Sequence, residues 1–334
     1  MKIIEIWNEQ ENDNSSTDIL LLRRCPSTVL PDIFIGLRKN EKQRCIALKI
    51  FNTDSINLSR YLNLKDIKPE LMPDPGDRTK KFLLILLKNS QHEDVFATLC
   101  EDLIYGIADI TDEGKMVREL LNRLEKWKSL FDKASSDGLS PEEQRGLFGE
   151  LYFLRKWILS TGDFHNCIQS WVGPENAIRD FQLSDWALEV KTTHGNNHQK
   201  VQVSSERQLD TANLKSLILF HISLEAQQQN GEKLNNIVDE IIVLLNRDIA
   251  SQIKFRSKLL QAGYFNRHRQ LYEYTGYQIR QENYYLVNNE FPRIEENDIR
   301  SGVGDVKYSI IISEYTNYII TESSVFETIS KYGK

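Results

Sequence analysis

The sequence predicts an α/β protein, α+β overall, with a β-rich N-terminal domain followed by an α/β core. Three observations carry this prediction. The first hundred residues hold short apolar runs separated by turn-forming residues. From about Asp112 the apolar spacing changes to three and four. Beyond Ser140, helical and strand-like stretches alternate. The expected domains are 1–135, β-rich and closed by an amphipathic helix; 136–230, the α/β core; and 231–334, a C-terminal helical and β extension packed on that core.

Composition bounds what such a chain can be. With 334 residues, 40% of them hydrophobic, there is room for two or three domains. No apolar run approaches the roughly 20 residues needed to span a bilayer, so no membrane-spanning helix is expected. The opening MKIIEIWNEQENDNSS lacks the apolar core and cleavage site of a signal peptide. Cys25, Cys45, Cys100 and Cys167 are scattered without a C-x-x-C pair, which argues against a disulfide scaffold or zinc knuckle and for a reducing cytoplasm. A formal net charge of −6 argues against coating DNA by bulk charge. It leaves room for local basic patches.

In chain order, Asp18–Arg24, Asp32–Leu37, Arg44–Phe51, Phe82–Leu87 and Val95–Thr98 read as strands, with the turn-rich PDPGDRT before the fourth and a loop or short helix over Asn52–Lys68. Met116, Leu120, Leu121, Leu124, Trp127 and Leu130 form a helical stripe. KASSDG at 133–138 breaks it as a linker. Ser140 then starts a second helix as N-cap, with Pro141 at the first position and Glu143 completing a capping box. Its buried stripe is Leu147, Leu151, Leu154, Trp157 and Ile158, and Glu150 lies beside that stripe. A hairpin of 177–183 and 186–192 turns at Ser184-Asp185. Val201–Val203 is a short strand, Ser204-Ser205 starts a helix carrying Gln208, and Leu214–Leu224 is a buried strand. Lys233–Leu245 and Ile249–Leu260 are helices. Tyr274–Arg280, Tyr284–Val287, Tyr308–Ser313 and Tyr318–Ile320 are β-like.

The chemistry centres on AIRDFQLSDWALEVKTT, residues 177–193. Glu189 and Lys191 are two apart on a strand, so both side chains leave the same face, while Leu188 and Val190 point to a core. In the hairpin, Asp180 would lie across from Glu189. A one-residue slip would turn it to the other face, which leaves Asp185 as a rival. Asp180 is the favoured acid because Ser-Asp reads as the turn. Two carboxylates with the Val190 carbonyl suit a hard cation such as Mg²⁺ (or Mn²⁺), which acidifies water and offsets phosphate charge. A neighbouring lysine can orient that water or stabilise developing negative charge.

Asp180 followed nine positions later by Glu189-Val190-Lys191, with Glu150 on the preceding helix, resembles the motif of the PD-(D/E)XK nuclease superfamily. The series GLFGELYFL, RDF, EVKTT and QVSSERQL resembles one bacterial family of PD-(D/E)XK proteins more closely. This resemblance implies a restriction-endonuclease-like three-layer core around a mixed sheet. It further implies Asp180 and Glu189 as metal ligands, Lys191 as catalytic lysine, Glu150 as an additional acid, and Gln208 as the polar residue after the motif strands. The departure is Arg179, where the motif carries proline. The resemblance also implies a DNA endonuclease subunit of a restriction or anti-phage defence system, with a GHKL-type ATPase and a helicase-like ATPase as partners in a homodimer or hetero-complex.

Blander readings stand beside these. An exposed same-face ion pair would also explain Glu189 and Lys191, and a solvated helix face would explain Glu150. His194 and His198 sit four apart, but Gly195-Asn196-Asn197 makes a loop without a third ligand. Cys167 and His165 lack a base–orienter arrangement. Trp171 and Trp186 read as packing. Lys200, Arg207, Arg267 and Arg269 are the candidate nucleic-acid contacts, the last two within FNRHRQ among aromatics, where a solvated loop is the plainer account. The alternative function is a catalytically silent nuclease-fold subunit serving DNA recognition or assembly with an ATPase; RNA as substrate also stays open.

Overall fold

The structure, a computed structural model, describes residues 3–13, 19–51, 58, 66–133, 138–195, 199–288 and 290–332, with the side chains of 128–133 outside that description. The chain divides into two compact units, 1–137 with 265–267, and 138–264 with 268–334. Most of the expected linker at 133–138, most of the segment Asn52–Lys68, and His198 lie outside the described residues.

The first unit is an antiparallel sheet with helices. Helix α1 (Ile3–Asn12) buries Ile3, Ile6, Trp7 and Gln10, a helical stripe at the start of the chain that strand-seeking overlooks. Strands β1 (Leu20–Arg24), β2 (Ile33–Arg38), β3 (Gln43–Ile50), β4 (Ile67–Asp74) and β5 (Asp77–Leu87) assemble in the order β1-β2-β3-β5-β4. β4 was hidden in the sequence by Pro69 and Pro73. Proline is tolerated there because β4 is an edge strand. The strand expected at Val95–Thr98 is instead part of helix α2 (Glu93–Ile107). Its acids Glu93 and Asp94 suit the helix start, and burial at Val95, Phe96, Leu99, Cys100, Leu103 and Ile104 shows a period that four residues cannot reveal. Trp7 stacks on Phe96 at 5.6 Å and ties α1 to α2. Helix α3 (Glu113–Lys133) carries the expected stripe, with Met116, Leu120, Leu124 and Trp127 buried.

The second unit is built on a mixed sheet. Helix α4 (Pro141–Thr161) starts with the expected box, since Glu143 N–H donates to Ser140 Oγ (3.3 Å) while Ser140 N–H donates to Glu143 Oε2 (2.8 Å). It ends at Gly162, whose φ of 65° suits the left-handed cap. Helix α5 (Phe164–Ser170) follows. Then come β6 (Phe181–Leu183), β7 (Trp186–His194), β8 (Lys200–Val203), β9 (Ser216–Gln228), β10 (Glu232–Lys233), α6 (Leu234–Leu244), α7 (Ile249–Gln261), β11 (Thr275–Val287), β12 (Tyr308–Ile311), β13 (Ile319–Ile320) and α8 (Glu322–Tyr332). The sheet order is β10-β11-β9-β7-β6, with β13 also on β11, and β12 pairs with β8 separately. Only the β7–β9 pairing is parallel among these; β6, β11 and the short strands pair antiparallel.

Two sequence expectations change here. The helix expected after Ser204-Ser205 is a single 3₁₀ turn, Glu206–Leu209. The two strands expected at Tyr274–Arg280 and Tyr284–Val287 are one, because β11 crosses its polar middle with a register shift between Ile279 and Gln281. Residues after 230 therefore add β10, β11 and β13 to the same sheet as the motif strand. Among the described residues, no helix is long and apolar enough to cross a membrane.

The sheet has two unlike faces. Leu188, Val190, Ile218, Phe220, Ile222 and Leu224 share a core with α4 residues Phe148, Leu151 and Phe153. Ala187, Leu217 and Leu219 face the other way, with Val201, Val203 and Ile310. Helix α4 comes close to β7 at Gly149, where a Cβ would strike the Thr192 methyl and lie 3.2 Å from Val190 Cγ1 and 3.3 Å from Ile222 Cγ2. Thr192 is β-branched and stiff, so it cannot swing aside. We therefore expect Gly149→Ala to lose about 1–3 kcal/mol in denaturant unfolding through overpacking, outweighing the helix-propensity gain of about 1 kcal/mol. Adding Thr192→Ser, which removes that methyl, should recover most of the loss.

Candidate active site

The hairpin delivers the motif. Phe181 pairs with Leu188 and Leu183 with Trp186, so the register continues to Asp180 opposite Glu189. β6 stops at Phe181, and beyond it the Val190 N–H donates to Asp180 Oδ2 at 2.7 Å instead of to a strand carbonyl. In a strand, N–H and C=O of one residue point to the same edge. The Val190 carbonyl therefore faces the same gap. Asp185 sits at the other end, in the turn, paired with Lys215 at 2.6 Å. It is Asp180, not Asp185, that stands with Glu189.

A second turn fixes Asp180 from behind. Its carbonyl accepts from Val172 N (2.8 Å) and Gly173 N (2.9 Å). The same turn presents Trp171, whose indole Nε1 donates to Glu150 Oε2 at 2.7 Å. At Gly173 the absent side chain matters, because a Cβ there would lie 3.0 Å from Asp180 Oδ1 and 3.1 Å from Glu150 Oε2. Two carboxylate oxygens from different elements thus converge on one glycine. Lys258 of α7, only 1% exposed, holds this turn in place. Its ammonium donates to the carbonyls of Gln169 and Trp171 and pairs with Glu175 at 3.0 Å. Burial pulls Lys258 down to about 8, against the raising effect of Glu175.

Glu189 is 1% exposed. Its Oε1 takes the Lys191 ammonium at 2.8 Å, and its Oε2 is buried with no hydrogen-bond partner. Lys191 Nζ also donates to Gln208 Oε1 at 2.9 Å, and that oxygen accepts the Ser204 N–H at 2.9 Å. Burial raises all three acids. Asp180 is held well above the aspartate range by burial, then by Glu189 and Glu150. Glu150 is pushed up to about 7 by burial and by Glu189, against the Trp171 indole and Lys191. Glu189 is raised by burial, with Lys191 and Arg179 opposing. Burial draws Lys191 down, but the carboxylates outweigh it and hold the ammonium above its usual range. Three carboxylates therefore crowd one lysine, with Arg179 nearby.

That surplus of negative charge is what a hard divalent cation would neutralise. Asp180 Oδ1, the unpartnered Glu189 Oε2 and the Val190 carbonyl are donors of the right chemistry, with Glu150 adjoining. Among the described residues, no group of three His, Cys, Asp or Glu is placed to hold a metal ion; Glu189 turns one oxygen to Lys191 and Asp180 one to a backbone amide.

A family model described as "Putative PD-(D/E)XK family member, (DUF4420)" matches residues 3–313. The chain belongs to this family. The match runs through both units, and its range includes the candidate residues Asp180, Glu189, Lys191, Glu150 and Gln208. Neither a curated protein nor a solved structure matches the chain.

The other candidates have separate settings. Lys200 is exposed at the start of β8. Arg207 pairs with Glu296 at 2.6 Å. Arg269 is engaged by Asp239 at 2.6 Å and the Tyr264 hydroxyl at 3.0 Å. Arg267 belongs to the first unit, its guanidinium 5.1 Å from the Phe265 ring. His194 is exposed at the end of β7. Cys167 is fully buried, its thiol pushed up to about 12 by burial. Trp171, Gly173 and Lys258 are the contributors that the sequence did not single out for the site. Trp171 and Gly173 lie a few residues before Asp180, whereas Lys258 carried no local signal.

A pH dependence follows. The raised Glu150 carboxyl binds its proton more tightly in the folded chain, so its stabilising contribution is complete below the ordinary glutamate range and lost as pH rises through about 7. Glu150→Gln keeps an acceptor for the Trp171 indole and cannot ionise. Its melting temperature should exceed that of the wild type at pH 8 and fall to parity or below at pH 5; equal differences at both pH values would contradict the raised carboxyl.

Proposed function

We propose that this chain is a divalent-metal-dependent nuclease subunit that hydrolyses DNA phosphodiester bonds on a restriction-endonuclease-like three-layer core. The observation that carries this reading is the convergence of Asp180, Glu189 and Glu150 at the middle of β7 with Lys191 beside them. Family membership supports it.

In this reading Asp180, Glu189 and the Val190 carbonyl hold Mg²⁺ or Mn²⁺, and Glu150 adjoins the site. The ion, when bound, supplies Lewis acidity that eases deprotonation of water and offsets charge on the scissile phosphate. Lys191 acts as a donor, because its ammonium is held protonated by the surrounding carboxylates. It orients the attacking water or stabilises charge as it develops on phosphate oxygen. Gln208 fixes where that ammonium points. A cytoplasmic setting, a defence role, DNA contacts through Lys200, Arg207, Arg267 and Arg269, and assembly with ATPase partners or a second copy rest on the sequence and the family resemblance. A second reading, a catalytically silent assembly or recognition subunit, draws on one specific observation: Lys191 already occupies Glu189 Oε1.

Plasmid incubated with the protein and Mg²⁺ or Mn²⁺ tests both. The nuclease reading expects cleavage, reduced at least about a hundredfold by Glu189→Ala and by Lys191→Ala. Equal cleavage by all three proteins overturns it. Silence in every assay, with phage protection retained by Glu189→Ala, selects the second reading. Cation binding can be followed separately by melting temperature: Mn²⁺ should raise it more at pH 8 than at pH 5.5, because protons compete for the same carboxylates, and Gly173→Ala should blunt the rise.

A further inference from the structure

We infer that Arg179, which stands where the motif carries proline, is a positioning residue that sets the Lys191 ammonium through Gln208. Its meaning for catalysis rests on the nuclease reading above; the clamp itself does not.

Arg179 is buried at 8% exposure and immediately precedes Asp180. Its guanidinium crosses to the 3₁₀ turn Glu206–Leu209 and gathers that turn's carbonyls. Nε donates to Gln208 O at 3.1 Å, and Nη2 to Arg207 O at 3.1 Å and to Asp210 O. A planar fork with fixed donor directions can hold three carbonyls at once, which a lysine ammonium on a flexible stem cannot reproduce. The turn is only four residues long; Arg207 O also accepts the Asp210 N–H at 3.4 Å, and Arg179 adds bonds to the carbonyls of Gln208 and Asp210 at its closing end.

What the turn carries is the Gln208 side chain. Its Oε1 is fixed by the Ser204 N–H and presented to Lys191 Nζ, both at 2.9 Å. Lys191 is thereby suspended between Glu189, at 2.8 Å, and Gln208. Without Gln208 the ammonium would collapse toward the carboxylates, which supply most of the local field. A proline at 179 could make none of these bonds. The residue that departs from the motif therefore links the acid beside β6 to the lysine of β7 by way of a remote turn.

The test reads the amine itself. In the full chain, competitive acetylation with trace acetic anhydride, followed by peptide mass spectrometry, gives the reactivity of Lys191 relative to exposed lysines. Arg179→Met and Gln208→Ala should each change Lys191 reactivity about tenfold, the equilibrium value of one charge-assisted hydrogen bond. The double variant should show no further change. Arg179→Lys should fall between wild type and Arg179→Met. Near-UV circular dichroism establishes that each variant is folded; if Arg179→Met is not, Arg179→Lys and Gln208→Ala carry the same criterion. Unchanged Lys191 reactivity in folded variants, or additive effects in the double variant, overturns the clamp. With cleavage as a second readout, the variants should lose kcat about tenfold with KM unchanged. A wild-type chain that cuts nothing would sink the nuclease reading while leaving the labelling result to decide the clamp.

Discussion

The hydrogen bond from Val190 N–H to Asp180 Oδ2 is the hinge of this architecture. At that point a side-chain carboxylate takes over the role of a strand. β6 can end after three residues without leaving a bare amide on the edge of β7. Because β6 ends there, the sheet edge opens, and the edge is where Glu150, Trp171 and Gly173 enter from the helical layer. A longer β6 would complete the ladder and shut the acids out. The site exists because a hairpin stops early.

Such an opening is costly to maintain. Buried carboxylates lose hydration that a single lysine does not restore, and their raised proton affinities record the deficit. The surrounding scaffold offsets it with fixed groups on rigid elements. An indole donor faces Glu150, two amides hold the Asp180 carbonyl, a buried lysine ties down the turn that supplies them, and an arginine fixes the far side. Each support comes from backbone or from a side chain almost closed to solvent, which keeps the acids in register while they stay electrostatically unsatisfied. Preorganisation of this kind is what a site pays for in stability and recovers when a cation or substrate arrives.

How much of this could be read from the sequence depends on how local each signal was. Ser140, Pro141 and Glu143 announce α4 because a capping box lies within four residues. Glu189 and Lys191 announce a polar pair on an apolar strand, and the Ser184-Asp185 turn, with Ser184 at a φ of 49°, sets the register that brings Asp180 across. The central strand and its acids were therefore legible. α2 was not, because Val95–Thr98 is too short a window to separate a helix from a strand. β4 was masked by its prolines, and β11 by the charged and amide residues at its middle. Lys258 reaches the site through contacts 87 and 89 residues distant in sequence, and no pattern in one chain encodes such a pairing.

The two prolines of β4 have a consequence beyond having hidden the strand. Pro69 and Pro73 lie on the outermost strand of the N-terminal sheet, four residues apart and so on the same side of the backbone. Proline has no amide hydrogen, and sheets accept it where that missing donor would have faced solvent. Among the described residues, the outer margin of this sheet is thus a broken row of donors on which an incoming strand would find gaps. Growth of the sheet by annealing to another chain, the usual hazard of an exposed β margin, is discouraged on this side. A partner meeting the N-terminal unit here would find backbone acceptors but missing donors at Pro69 and Pro73.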